Sequence, residues 1–341
     1  MKISLIIPSN RKSYSAMARI LECASLDPSR FEVIVRDNSE DEAKRALLSS
    51  IDSPTLRLFT VPNRGAFENP IEALRLATGD FILFLGDDDW LSARGIEQLH
   101  ALAAREIDDA TVACFTGTYL IQTSTQSGLF RYPDLDSDNA AKRVASYFEA
   151  KAPNVLYYSA VRRSLATFCF SLLEQLPYKF SYHDQLIAML YLALGRTLQV
   201  DQVVYFYDLG EWETSEKSLA KDRAMYVDAG LPLEIDRLHW LLCGMEGGFL
   251  LNSVLLSEKR TYDRKELSDL WFANMFTRFK HHYRETGYES SAINEGSLKL
   301  KAKWISESEV NLSELLFDVC EILEKADPAG AERYFKFWSS L

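Results

Sequence analysis

Phe81, Ile82, Leu83, Phe84 and Leu85 form an unbroken apolar run between Gly79 and Gly86, and Asp87, Asp88, Asp89 and Trp90 follow it. A run this short, with no polar alternation, is the pattern of a strand covered on both faces, as in the middle of a parallel sheet. No other feature restricts the fold as strongly. Ligands of open α/β sheets sit beyond the carboxyl ends of the strands, so the three carboxylates fall where a site belongs. Two such charges about 4 Å apart repel by roughly 4 kcal/mol at an effective dielectric near 20. A hard divalent cation with oxygen ligands removes that cost. A solvated turn whose Asp side chains cap a helix beginning near Ser92 is the competing explanation. An EF-hand loop is excluded, because Ser92 stands where that loop needs Gly and Gln98 where it needs Glu.

The flanking pattern supplies the context. Ile3–Ile7 reads as a first strand stopped by Pro8-Ser9-Asn10, and Ser13–Leu26 has helical spacing. Phe31–Val35 is a second strand ending at Arg36-Asp37-Asn38, and Ser39 with Glu42 forms a capping box for the next helix. Leu56–Phe59 is a third strand, Pro62–Gly65 a turn, and Phe67–Ala77 a helix leading into the apolar run. Val112–Phe115 and Tyr119–Ile121 read as two more strands, Asp184–Leu194 as an apolar helix and Leu198–Tyr207 as an aromatic strand. Strands alternating with helices predict a doubly wound, mostly parallel sheet with helices on both faces. From about Glu211 the β-rich runs stop and Leu-, Glu- and Lys-rich segments take over. The expected domains are therefore 1–210, α/β, and 211–341, mainly helical. Asn311 with Glu314 starts one helix of that tail, and Leu315, Leu316, Val319, Ile322 and Leu323 trace its apolar face.

Composition removes several functions. A formal net charge of −11 over 341 residues argues against a nucleic-acid surface. Cys23, Cys114, Cys169, Cys243 and Cys320 are scattered with no C-x-x-C pair, which suits free thiols in a reducing compartment. No signal peptide is visible, and Leu238–Leu256 is too short and too polar for a transmembrane segment. A cytoplasmic protein is expected.

Taken together, IIPSN, RDNSED, an NRG turn, ATGDFILFLGDDDW and a later His183-Asp184 pair follow one another in an order that resembles the family 2 glycosyltransferases of the GT-A fold, over roughly residues 1–210. The resemblance implies an inverting transferase that takes a sugar from a nucleotide diphosphate sugar, with UDP favoured, and passes it to a glycan or lipid-linked acceptor in surface polysaccharide synthesis. Pro8, Ser9, Asn10 and Arg11 would line the nucleotide pocket, Asp37 would accept from the base or ribose, and Asn63, Arg64 and Gly65 would pass near the nucleotide. Gly65 also reads by itself as a position of close backbone approach or positive φ. The acidic turn matches the family's metal motif with a departure: Gly86 stands where an Asp is usual. Either the motif is shifted, or the ribose-contacting carboxylate is missing. Asp87 and Asp88 would then border the nucleotide, and Asp88 or Asp89 would hold Mg²⁺ or Mn²⁺. Asp184 matches the base that takes a proton from the acceptor hydroxyl, and an ordinary first-turn Asp stabilised by the helix dipole is its competitor. His183 replaces the usual Glu and would orient Asp184 or contact phosphate. Trp90 would cover the site, and Arg162 and Arg163 would meet the diphosphate.

Two other classes compete. A nucleotidyltransferase can use a similar acidic sheet end, but PSNRKSYS lacks the glycines of its phosphate loop. A member that binds sugar nucleotide without catalysis would be consistent with Gly86 and His183. No G-x-G-x-x-G or Walker-A loop follows the first strand, which disfavours a dehydrogenase or a P-loop enzyme. The helical tail would close over the acceptor, form a homo-oligomer or rest on the inner membrane face. Its Lys280–Arg284 run is a candidate basic contact or a solvated helix face.

Overall fold

The computed structural model describes residues 1–11, 14–61, 65, 67–150, 154–210, 212–253, 256, 263–283, 292–307 and 309–341. In order the chain forms β1 (Ile3–Ser9), α1 (Tyr14–Ala24), β2 (Phe31–Asp37), α2 (Glu42–Ser49), β3 (Leu56–Thr60), α3 (Glu68–Arg75), β4 (Phe81–Phe84), β5 (Trp90–Leu91) and α4 (Ala93–Arg105). It continues with β6 (Val112–Gln122), β7 (Ser127–Phe130), α5 (Ala140–Glu149), β8 (Ala160–Arg162), α6 (Arg163–Gln175), α7 (His183–Leu194) and β9 (Arg196–Asp208). The remainder is helical: α8 (Ser215–Asp228), α9 (His239–Asn252), α10 (Arg264–His282), α11 (Ala292–Ile305), α12 (Leu312–Leu323) and α13 (Pro328–Ser339).

Two compact units result. The first is Met1–Asp138, Ala150–Ser171 and Gly195–Thr214; the second is Asn139–Glu149, Leu172–Leu194 and Ser215–Leu341. The expected single division near 210 differs from this, because α5 and α7 belong to the second unit although they precede β9.

The first unit is built on a mixed sheet of order β3-β2-β1-β4-β8-β6-β9-β5, with β7 paired to β6. β4 lies beside β1 in parallel, with all four residues buried, as its unbroken apolar run requires. The sheet is mostly parallel on the β1 side, but β8 runs antiparallel to both β4 and β6, and β5 antiparallel to β9. Two short strands were expected around Gly117; the structure has one strand, β6, whose register against β9 shifts there. Gly117 looks like a break in sequence but serves an irregularity, since a Cβ on it would come within 2.9 Å of Gln202 O. The capping box is also displaced. Asp41, not Ser39, caps α2 by accepting from Lys44 N at 3.0 Å.

The second unit is helical. α7 and α9 are buried almost all round, and Trp271 of α10 packs against α9 with its Nε1 donating to Cys243 O at 3.1 Å. That approach needs Gly247, where a Cβ would lie 2.1 Å from Trp271 Nε1. Among the described residues no helix is long and apolar enough to cross a membrane.

Candidate functional site

The carboxyl ends of β1, β2 and β4 adjoin because β1 pairs in register with both neighbours, Ser9 opposite Asp37 and Ile6 opposite Phe84. Past β4 the chain turns tightly, with Asp89 N donating to Gly86 O at 3.1 Å. A Cβ on Gly86 would lie 2.6 Å from Asp89 Oδ2 and 2.8 Å from Asp88 Oδ1, so a side chain there would displace these two carboxylates.

The three carboxylates have different surroundings. Asp87 is buried and accepts at Oδ2 from the Ser9 hydroxyl at 2.8 Å and from the backbone N–H groups of Asn10 and Arg11 at 3.2 and 3.1 Å. Its Oδ1 lies 3.0 Å from Arg11 Nε, and the same guanidinium binds Asp88. Burial raises the Asp88 pKa above the usual carboxylate range, and the Arg11 charge opposes that rise. Asp89 is buried too, yet its partners are neutral: the Tyr205 hydroxyl at 2.9 Å and Asp208 N at 2.9 Å. Burial, with the Asp88 charge adding to it, pushes Asp89 up to about 7. Of the three, Asp89 is the carboxylate with no cationic side chain at ion-pair distance among the described residues. Burial without a counter-ion is the condition under which a carboxyl gives up its charge.

Sequence reasoning missed four members of this site. Lys44, reaching in from α2, has its Nζ 2.7 Å from Asp37 Oδ1, 2.7 Å from Ser9 Oγ and 2.6 Å from Arg11 O. Nothing local marks a helix Lys as buried, although its place three residues after an N-cap Asp puts it on the turn facing the strand ends. Arg19 of α1 donates to Asp87 O at 2.9 Å and lies 3.5 Å from the centre of the Trp90 ring. Tyr205 and Asp208 arrive on β9, more than a hundred residues after the turn they support, so no short-range pattern announces them.

The remaining expected residues divide. Pro8, Ser9, Asn10, Arg11, Asp37, Asp87, Asp88, Asp89 and Trp90 are brought to this one end of the sheet. Asp37 is fully buried; its Oδ2 makes no hydrogen bond and lies 3.7 Å from Arg45 Nε. Gly65 is described, and what a Cβ there would meet is the end of the Glu68 side chain at 2.3 Å. Asn63 and Arg64 lie outside the described residues. Arg163 is a correction: its Nε donates to Gly79 O at 2.6 Å, at the amino end of β4 and away from the acidic turn. Arg162 likewise binds the carbonyls of Glu106, Ile107, Asp109 and Val112. A strand-end Arg pair satisfies loop carbonyls here, which composition cannot distinguish from phosphate binding.

Asp184 and His183 open α7 in the second unit. Asp184 is half-buried, and its Oδ1 accepts from Gln185 N at 2.7 Å. His183 is buried against Phe180 and Tyr182, and Nε2 accepts from Phe180 N at 3.3 Å. Burial, helped by Lys179, lowers its pKa to about 3. A neutral, enclosed imidazole replaces the phosphate contact allowed for it above.

The donor set fits a divalent cation in part. Among the described residues no three His, Cys, Asp or Glu side chains converge as a ready metal cluster. Mg²⁺, however, is commonly held by one or two carboxylates together with substrate phosphates, and Asp88 and Asp89 offer such a pair.

Sheet order and an acidic turn at the carboxyl ends of the strands define an α/β domain. Residues 4–166 match the family described as glycosyl transferase family 2, and this part of the chain belongs to it: the domain is a glycosyltransferase domain. Solved structures with a similar fold include S. aureus TarS residues 1–349, at 16% identity and TM-score 0.50, covering 100% of this chain and 91% of that one. The same fragment in complex with UDP-GlcNAc gives a TM-score of 0.52 at 16% identity, with the same coverage. Against the structure titled simply S. aureus TarS the TM-score is 0.53 at 16% identity, and the match covers all of this chain and 55% of that one. No curated protein sequence matches.

Proposed function

We propose that this protein is a metal-dependent inverting glycosyltransferase that moves a sugar from a UDP-sugar to a hydroxyl of a glycan or lipid-linked acceptor in surface polysaccharide synthesis. The observation that carries the reading is Asp89, a buried carboxylate facing only neutral donors beside two carboxylates already matched by Arg11. It leaves a place for one further positive charge at the carboxyl end of β4. Asp88 and Asp89 would hold the cation, which when bound neutralises the charge of the departing diphosphate. Ser9, the Asn10 and Arg11 backbone and Asp37 form the nucleotide side, with Asp37 Oδ2 as the acceptor for a base or ribose donor. UDP is the favoured nucleotide because the similar TarS fragment was solved with UDP-GlcNAc. Asp184 takes the acceptor proton as the acceptor oxygen bonds to the anomeric carbon and the sugar–phosphate bond breaks. The nucleoside diphosphate leaves with that bonding pair.

Calorimetry of UDP with Mn²⁺, with Mg²⁺ and with EDTA tests the site, followed by turnover of a UDP-sugar panel. Binding should tighten with metal, and turnover should stop in EDTA and return when metal is restored. Failure of UDP and every UDP-sugar to bind in the presence of metal would overturn the reading.

A further inference from the structure

In the first unit, a cavity of about 350 Å³ lies between α1 and α4, beneath the acidic turn. Cys23, Leu26, Leu85, Ile96 and the Trp90 ring make much of its wall, and Arg19 is the buried charged side chain that lines it. Ser9, Arg11, Asp37 and the three carboxylates of the turn do not line it. It is therefore a different place from the one proposed above for the nucleotide and the cation.

Arg19 is 5% exposed, and an arginine buried to that degree ordinarily has an anion against it. This one does not. Nη1 donates to Asp87 O at 2.9 Å, and the guanidinium carbon lies 3.5 Å from the centre of the Trp90 ring. Nε is buried without a hydrogen-bond partner, and no carboxylate stands at ion-pair distance among the described residues. Asp88, Asp89, Asp208 and Asp87 act on the guanidinium from farther off, against the burial that lowers its pKa. A carbonyl and a ring face ease a buried cation but leave part of its five-donor fork unused. The other walls supply no counter-charge at depth. Burial, with Glu22 adding to it, pushes the Cys23 thiol up to about 12 and keeps it neutral, and Glu22 itself is exposed.

We propose that this cavity binds a small apolar carboxylate, with its carboxyl group on Arg19 and its hydrocarbon or aromatic body against Leu26, Leu85, Ile96 and Trp90. A guanidinium fork matches a carboxylate, and a mostly apolar wall with one well-placed polar group is the usual make-up of a small-molecule site of this volume. Arg19 also holds the Asp87 carbonyl, so an anion beside it is felt at the turn. It offsets one positive charge near Asp87, Asp88 and Asp89, so that a divalent cation on the turn and a carboxylate in the cavity favour each other. The cavity ligand stands on Arg19 and the walls around it; the coupling alone rests on the glycosyl-transfer reading, which puts the cation on the turn.

The full chain is titrated by calorimetry with hexanoate, with the neutral hexanamide and with acetate, each with and without Mn²⁺. Hexanoate should bind, and hexanamide and acetate should each bind about tenfold or more weakly. Arg19→Met should bring hexanoate down to the level of hexanamide. Ala93→Trp, at an exposed position among the lining residues, obstructs the cavity while leaving Arg19 in place. It should weaken hexanoate and hexanamide alike, with melting temperature and UDP affinity unchanged. Mn²⁺ should tighten hexanoate binding several-fold. Equal affinity for hexanoate and hexanamide in the wild-type protein, or undiminished hexanoate binding by Ala93→Trp, would overturn the site. Acetate bound as tightly as hexanoate would overturn it too, by showing an adventitious anion only. Hexanoate bound as expected in a protein that takes up neither Mn²⁺ nor UDP would keep the cavity site and overturn the donor reading with its coupling.

Discussion

The two units differ in how most of their buried charge is met. In the first, carboxylates and cations are interleaved: Asp37 with Lys44, Asp87 and Asp88 with Arg11, and Arg19 beneath the turn. In the second, Asp236 pairs with Arg223, but Glu246 and His183 are buried among rings and neutral donors. Glu246 accepts from the Tyr334 hydroxyl at 2.6 Å with its other oxygen unpartnered, and His183 is enclosed by Phe180 and Tyr182. A buried group with an opposite charge beside it keeps its own, whereas one without neutralises instead. Preformed ion pairs suit a unit proposed to receive a highly charged diphosphate. A quieter unit suits a proton transfer, where one carboxylate must stay basic.

The largest effect that could break this comparison concerns Asp184. Asp184→Asn removes the proposed base and should reduce turnover by about 10²- to 10⁴-fold. UDP binding, a property of the first unit on this view, should remain within error by calorimetry. Full turnover by a folded Asp184→Asn protein would take the chemistry out of the second unit and leave the contrast without functional meaning.

Next in size is Lys44. Its side chain is 2% exposed and that of Asp37 0%, so Lys44→Met strands a buried carboxylate. Removing one partner of such a pair costs about 3–5 kcal/mol. Urea unfolding should show that loss, and adding Asp37→Asn should recover part of it. The exposed Lys336–Glu332 pair of α13, 72% and 66% exposed, supplies the control. Lys336→Ala should change stability by less than about 1 kcal/mol. Equal effects at the two lysines would mean that the ion pairs of the first unit are ornaments of a preformed fold.

Much of this was legible in the sequence, for reasons that also explain what was hidden. The Phe81–Leu85 run, the strand-end Asp37 and the acidic turn are local patterns, and the burial of β4 follows from apolarity alone. Gly86 was visible as a departure, but its closeness to the Asp88 and Asp89 carboxylates required their positions. Lys44, Arg19, Tyr205 and Asp208 meet the turn through tertiary contacts, and one-dimensional periodicity carries no trace of such meetings. Arg163 was misplaced because a basic residue after a strand has the same composition whether it meets a phosphate or the Gly79 carbonyl.

The smallest effect sharpens the comparison through pH. Burial, opposed by the Tyr334 hydrogen bond, pushes Glu246 up to about 8, while burial and Lys179 lower His183 to about 3. Between about 4.5, the ordinary Glu value, and 8 the folded protein binds a Glu246 proton that the unfolded chain releases, so stability falls as pH rises. Between about 3 and 6.5 the unfolded chain binds a His183 proton that the folded protein refuses, so stability rises with pH. The contributions cancel where the windows overlap, from about 4.5 to 6.5, leaving a rise below and a decline above. Each lone slope is one proton, about 1.4 kcal/mol per pH unit. Melting temperatures across this range should therefore decline less steeply between pH 6.5 and 8 in Glu246→Gln than in wild type. His183→Gln should flatten the acid side in the same way. Unchanged slopes in both variants would mean that these groups are paired after all, and that the second unit handles charge as the first does.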